Sequence, residues 1–130
     1  MNSKKIGFIS LGCSKNLVDT EHMVGILKQA GYELTEDLKE ANVIIVNTCT
    51  FMAKAESIQT ILEAAQYKKT GKCERLVAAG CLAQQYKKSL GKEIPEVDIF
   101  IGTDSWQHIL EAVNQSYENS GEKVYSFEAL

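Results

Sequence analysis

Short apolar runs alternate with longer amphipathic stretches along this chain. Four runs, at residues 5–10, 43–47, 75–79 and 98–101, are apolar on both faces and predict buried strands. A fifth run at 32–35 is more polar and predicts an edge strand. This alternation is typical of βαβ units around a parallel sheet.

The stretches between the runs predict helices. Apolar residues recur there at helical spacing over about 17–30, about 53–69, from 81 to about 90, and from near 104–105 onward. One face of each stretch is expected to pack on the sheet. The expected core residues are Leu17, Met23, Val24, Leu27 and Ala30 in the first helix, Ile58, Ile61, Leu62 and Ala65 in the second, and Trp106, Ile109, Leu110 and Val113 in the last.

These elements predict an α/β fold of the Rossmann or flavodoxin-like kind, a three-layer sandwich. The sheet is expected to have five mostly parallel strands in the order 2-1-3-4-5, with helices on both faces. Residues 1–114 form the predicted domain. Residues 115–130 are polar as far as 124–127, which predicts a linker toward a further domain, with one strand that has no obvious place in the sheet.

Composition and net charge exclude some classes of function. The 130 residues include 14 Lys and Arg against 17 Asp and Glu, a formal net charge of −3, so the chain lacks the basic footprint of a nucleic-acid-binding domain. Direct binding of nucleic acid is therefore not expected. No apolar run is long enough to cross a membrane, and no targeting signal precedes the first strand. We expect a cytoplasmic protein whose four cysteines stay reduced and serve as ligands, nucleophiles or core residues.

Three of the cysteines occupy equivalent positions, because Cys13, Cys49 and Cys81 each follow the carboxyl end of a predicted strand. Those strands are neighbours in the expected order, so their thiols converge at one edge of the sheet, where open α/β sheets bind ligands. Each cysteine also precedes a helix, whose N-terminus favours a thiolate.

Three thiolates without a fourth match a [4Fe–4S] cluster with one open iron better than a closed zinc site. The alternative is that each cysteine is a small buried apolar residue. Cys73 precedes its strand, so it belongs to the opposite edge and is expected to be structural.

Other polar residues give weaker signals. Lys15, Asn16 and Asn47 flank the predicted site and could donate hydrogen bonds to cluster sulfurs or to substrate, although helix caps and turns use the same residue types. His22 falls on the polar side of the first helix, and His108 is expected to be a packing or surface residue.

Several motifs give the chain a resemblance to a known family. They are SLGCSKNLVD at 10–19, ANVIIVNTC at 41–49, AGCLAQ at 79–84, IPEVD at 94–98 and IGT at 101–103. Together they resemble the N-terminal domain of methylthiotransferases, which belong to the radical S-adenosylmethionine class. GCSKNLVD is similar to the branch that modifies a ribosomal protein, whereas the branch that modifies tRNA tends toward GCQMN. The resemblance implies a transferase that attaches a methylthio group to the β-carbon of an aspartate in protein twelve of the small ribosomal subunit.

The resemblance also implies roles for individual residues. Cys13, Cys49 and Cys81 correspond to the three ligands of an auxiliary [4Fe–4S] cluster whose open iron holds the sulfur species to be transferred, and Cys73 has no counterpart. The family needs a second [4Fe–4S] cluster, held by a C-x-x-x-C-x-x-C motif, to cleave S-adenosylmethionine, and a C-terminal domain that helps to bind the target. Neither occurs in this sequence. We therefore expect the first domain of a longer enzyme, which works with its own radical and C-terminal domains and is inactive alone.

Two alternatives keep part of this interpretation. One retains the fold and the cluster but changes the substrate to a tRNA adenosine. The other is a non-enzymatic flavodoxin-like module that holds zinc or no metal.

Overall fold

The helices and strands alternate along the chain. The computed structural model describes residues 4–10, 14–48, 54–80, 97–101, 109–118 and 124–126. Within them the strands are β1 (Lys5–Ser10), β2 (Glu33–Leu34), β3 (Val43–Thr48), β4 (Arg75–Gly80), β5 (Ile99–Ile101) and β6 (Val124–Ser126). The helices are α1 (Ser14–Gln29), α2 (Lys54–Ala65), α3 (Tyr67–Thr70) and α4 (Ile109–Glu118).

All of these strands belong to one sheet in the order β2-β1-β3-β4-β5-β6, and every pair is parallel. The predicted fold class is confirmed, and so is the order of the first five strands. The polar run at 32–35 contributes the short edge strand β2, as its composition predicted.

The sixth strand corrects one expectation. The prediction that the apolar run near 124–127 has no place in the sheet is wrong, because Val124–Ser126 pairs with Ile99–Ile101 in parallel register. All three side chains of β5 are buried, so β6 supplies backbone partners along an edge that would otherwise be apolar and unpaired. Helix α4 continues to Glu118, past the predicted boundary at residue 114.

Two apolar layers lie on opposite faces of the sheet. On one face Ile44, Val46 and Leu76 pack against α2, and on the other Val43, Ile45 and Val77 pack against α1 and α4. Consecutive strand residues therefore supply opposite layers, as the pleat of a strand requires. The central strands are buried on both sides, which explains why their sequences are continuously apolar.

The helices differ from the predictions in their ends and in two core residues. Helix α1 begins at Ser14, three residues earlier than predicted, and the second predicted helix is divided at Gln66 into α2 and α3. Met23, Leu27, Ile61, Ala65, Ile109 and Val113 are buried as expected. Ala30 is exposed because α1 has already ended at Gln29. Leu62 is also exposed, and Ala64 takes its place in the core.

The end of α1 has a specific turn. Gly31 has a φ of 100°, and its N–H donates to the carbonyl of Lys28 while the N–H of Tyr32 donates to that of Leu27. This pair of bonds is the Schellman motif, in which glycine adopts the left-handed conformation without a steric penalty. The chain thereby turns directly from α1 into β2.

Two of the predicted helical segments include residues outside the described parts of the chain. The helix predicted from 81 to about 90 lies outside the described residues, as do the predicted start of the last helix and Trp106. Among the residues that the structure describes, no helix is long and apolar enough to cross a membrane.

The amino-terminal edge of the sheet is held together by polar side chains. Asn42 accepts a hydrogen bond from the backbone N–H of Lys5, which connects the starts of β1 and β3. Asp98 accepts one from the N–H of Leu76 and also pairs with Lys68, so it joins β4, α3 and the residue before β5. These contacts fix the relative positions of strand starts that are distant in sequence.

A second polar cluster joins α4 to the same edge. The Tyr117 ring lies between the ammonium of Lys4 and the guanidinium of Arg75, at 4.2 and 4.5 Å from its centroid, and its hydroxyl donates to Glu74. Burial and the Glu74 carboxylate raise the pKa of Tyr117, whereas the hydrogen bond from Lys4 lowers the pKa of Glu74. The hydroxyl therefore stays protonated and continues to donate at neutral pH.

Removal of the Asp98 carboxylate should destabilise the domain. We expect Asp98→Ala to lower the free energy of unfolding by about 1–3 kcal/mol, because the partly buried N–H of Leu76 loses its acceptor. Urea unfolding followed by circular dichroism measures this change. Glu40→Ala is the matched control, since it removes an ion pair with Lys72 that lies in solvent, and should leave the unfolding midpoint near that of the wild type. Equal midpoints for both variants would contradict the role of Asp98.

Candidate metal centre

The carboxyl edge of the sheet is where three adjacent strands end at nearly the same level. Ser10 in β1 is in register with Asn47 in β3, and Asn47 with Ala79 in β4; one residue further on, Thr48 is in register with Gly80. Adjacent strands lie about 4.8 Å apart. The ends of β1, β3 and β4 therefore lie within about 10 Å of one another.

Each of these three strands leads into one of the predicted ligands. Cys13 comes three residues after β1 ends at Ser10, Cys49 directly follows β3, and Cys81 directly follows β4. The three cysteines themselves lie outside the described residues, so the ligand set stays a prediction. Within the part of the chain that the structure describes, no group of His, Cys, Asp or Glu side chains is arranged to hold a metal ion.

The N-terminus of α1 adds a favourable electrostatic contribution to this edge. The helix begins at Ser14, the residue after Cys13, and runs for 16 residues with no acidic residue in its first turn. Its unpaired N–H groups carry a partial positive charge that favours an anion. A thiolate or an anionic cluster held by Cys13 would benefit from this charge.

One buried polar side chain lies at the same edge. Asn47 is 2% exposed and occupies the last residue but one of β3, between Ser10 and Ala79. The alternation of β3 assigns its side chain to the face that carries Val43 and Ile45. A sequence pattern does not distinguish a buried amide of this kind from a turn residue, and its burial appears only in the folded sheet.

Cys73 lies far from this edge. It precedes β4 by two residues, is 6% exposed, and packs in the layer beneath α2. Its Sγ contacts the carbonyl oxygen of Arg75 at 3.2 Å, and burial raises the pKa of the thiol to about 11. The expectation that this cysteine belongs to the opposite edge agrees with its position, and the raised pKa makes it a poor ligand or nucleophile.

The remaining predicted residues are divided between described and undescribed parts of the chain. Lys15 and Asn16 lie in the first turn of α1, but their side chains are not among those described. His22 is exposed on α1, as predicted. His108 lies outside the described residues.

No feature of the sequence predicted the polar cluster of Lys4, Glu74, Arg75 and Tyr117 at the amino-terminal edge of the sheet. Lys4, Glu74 and Tyr117 are separated by 70 and 43 residues, and no local pattern connects them. It contains no cysteine or histidine, and its hydrogen bonds and ring contacts join α4 to the start of β4, so its chemistry is that of a structural contact.

The fold and the sequence together define a class: a doubly wound α/β domain in which the adjacent strands β1, β3 and β4 are each followed in sequence by a cysteine. A family model described as uncharacterized protein family UPF0004 matches residues 5–102. The chain belongs to this family.

Several curated relatives of the chain are named ribosomal protein uS12 methylthiotransferase RimO. The relative from Lachnoclostridium phytofermentans is 53% identical over 125 residues, which cover 95% of this chain and 28% of the relative. Those from Acetivibrio thermocellus and Pelotomaculum thermopropionicum are 53% and 54% identical, over 92% and 88% of this chain and 27% and 26% of their own lengths. The chain thus spans about a quarter of each relative, and the resemblance to a methylthiotransferase domain is confirmed.

The environment of Cys73 predicts slow alkylation. At pH 8 a thiol with a pKa of about 11 has on the order of a hundredfold less thiolate than a cysteine in an unfolded chain. We expect iodoacetamide to modify Cys73 at least that much more slowly in the native protein than in urea, as measured by peptide mass spectrometry. Similar rates in the two conditions would show that the thiol is accessible.

Proposed function

We propose that this domain binds a [4Fe–4S] cluster through Cys13, Cys49 and Cys81 and leaves one iron open. The observation that carries the proposal is the in-register ending of β1, β3 and β4 at one edge of the sheet, since a cysteine follows each of these strands. Three residues of chain span at most about 11 Å, so covalent geometry keeps all three thiols near the same strand ends.

The donor set fits the group. Cysteine thiolates are the usual ligands of iron–sulfur clusters, and a set of three leaves one iron for another ligand. The N-terminus of α1 next to Cys13 favours the net negative charge of such a site. A closed structural zinc site would need a fourth ligand, and neither histidine is close in sequence to any of the three cysteines.

Reconstitution tests the ligand set directly. We expect the wild-type chain to bind about four irons when it is incubated anaerobically with iron and sulfide, and to gain absorbance near 400 nm. Cys13→Ala, Cys49→Ala and Cys81→Ala should each lose most of this iron, because two thiolates hold a cluster poorly. Cys73→Ala is the matched control and should keep it, since Cys73 lies at the other edge of the sheet. A wild type without iron, or a Cys73→Ala variant that loses it, would contradict the proposal.

We propose that this chain is part of a cytoplasmic enzyme of the radical S-adenosylmethionine class that methylthiolates the β-carbon of an aspartate in ribosomal protein uS12. The name of the relatives supports the methylthiotransferase activity and the uS12 substrate, and the motif resemblance supports the remaining details. The cofactors carry the radical chemistry, and the protein supplies ligands and orientation. The cluster of this domain would hold the sulfur that is transferred, whereas S-adenosylmethionine and a second cluster belong to another domain.

Whether this chain can serve in a uS12 methylthiotransferase can be tested in a chimera. The matching segment of the Acetivibrio thermocellus relative is replaced by this chain, and the enzyme is expressed in cells that lack their own uS12 methylthiotransferase. We expect mass spectrometry to find methylthiolated aspartate in uS12, because the relative supplies the remaining domains. The same chimera with Cys81→Ala should give none, whereas Cys73→Ala should retain it. Unmodified uS12 in cells that contain the folded chimera would contradict the proposal.

A further inference from the structure

Asn47 is one of two polar residues, with Ser116, that are 2% exposed among the residues whose side-chain burial the structure describes. Its backbone lies in the central strand β3, with β1 on one side and β4 on the other, so it occupies the middle of the three strands that lead into cysteines. Cys49 follows it by two positions.

Burial of the Asn47 side-chain amide costs free energy unless hydrogen bonds offset it. A side-chain amide loses favourable contacts with water when it is buried, and hydrogen bonds must replace them. The neighbouring Ala79 offers only a methyl group, and Ile45 and Val77 make the rest of this face apolar. Hydrogen bonds of the amide, rather than apolar packing, therefore have to account for asparagine at this position.

The chemistry of the amide suits an anionic neighbour. Asn47 already has a partner in the structure, but a carboxamide carries two N–H donors and an oxygen with two lone pairs, so one contact does not exhaust it. It donates to negative charge without adding a charge of its own, which keeps the cost of burial low. Donors of this kind, directed at thiolate and sulfide, raise the reduction potential of iron–sulfur clusters because they stabilise the more negative reduced state.

We propose that the side-chain amide of Asn47 donates a hydrogen bond to the sulfur atoms of the site formed by Cys13, Cys49 and Cys81 and thereby sets the reduction potential of the cluster. This proposal rests on the proposed function. It makes Asn47 a residue that tunes the cluster, while the three thiolates hold it.

The test compares two buried polar residues at different places in the fold. Wild type, Asn47→Leu and Ser116→Ala are reconstituted anaerobically with iron and sulfide, and the midpoint potential is measured by dye-mediated titration with electron paramagnetic resonance detection. Leucine is similar in shape to asparagine but has no donor. Ser116 lies on α4, where its backbone carbonyl oxygen accepts a hydrogen bond from Arg75 at the start of β4. Ser116→Ala removes a hydroxyl near the start of β4, away from the strand ends that lead into the cysteines, so it should leave the midpoint potential unchanged.

We expect all three proteins to bind about four irons, with a midpoint potential that is lower in Asn47→Leu than in the other two. An unchanged potential in Asn47→Leu would overturn the proposal. So would the loss of iron from a folded Asn47→Leu chain, because it would give the amide a structural role in spacing the strands. If circular dichroism finds Asn47→Leu unfolded, Asn47→Ala replaces it under the same criteria. A wild type that binds no iron would refute the proposed function itself, whereas normal iron with an unshifted potential would refute only the role of Asn47.

Discussion

The parallel, in-register pairing of β1, β3 and β4 is the constraint on which the rest of the molecule depends. Thirty to forty residues separate these strands in sequence, yet Ser10, Asn47 and Ala79 lie side by side in one row. Because every strand runs in the same direction, whatever follows a strand emerges at the same edge. The topology of the sheet, without any local motif, thus brings together the strand ends that precede the three cysteines.

The two edges of the sheet carry different kinds of residues. At the amino-terminal edge, Asn42 and Asp98 join strand starts and Tyr117 ties α4 to the cluster around Glu74. At the carboxyl edge β1, β3 and β4 end in Ser10, Thr48 and Gly80, and α1 begins directly after Cys13, the first predicted ligand.

Sequence patterns predicted the fold class and the strand order because buried parallel strands are continuously apolar and well separated by helices. They failed where tertiary contacts decide. Leu62 has the same hydropathy whether it faces the core or solvent, and the strand predicted near Val124 carried no local sign that it pairs with β5. The candidate site was predicted from the position of Cys13, Cys49 and Cys81 after their strands. The burial of Asn47 could not be predicted, because exposure at a strand end depends on what packs over it.

The parallel orientation of β6 affects how a longer chain is organised. Had this strand been antiparallel, the chain would leave the sheet at the edge held by Lys4 and Tyr117. Instead Val124–Ser126 runs alongside β5, so the chain continues from the edge at which β1, β3 and β4 end. In the proposed enzyme, a domain joined there by a short tether would start at the edge where the strands that lead into the three cysteines end, and its local concentration around that edge would be correspondingly high.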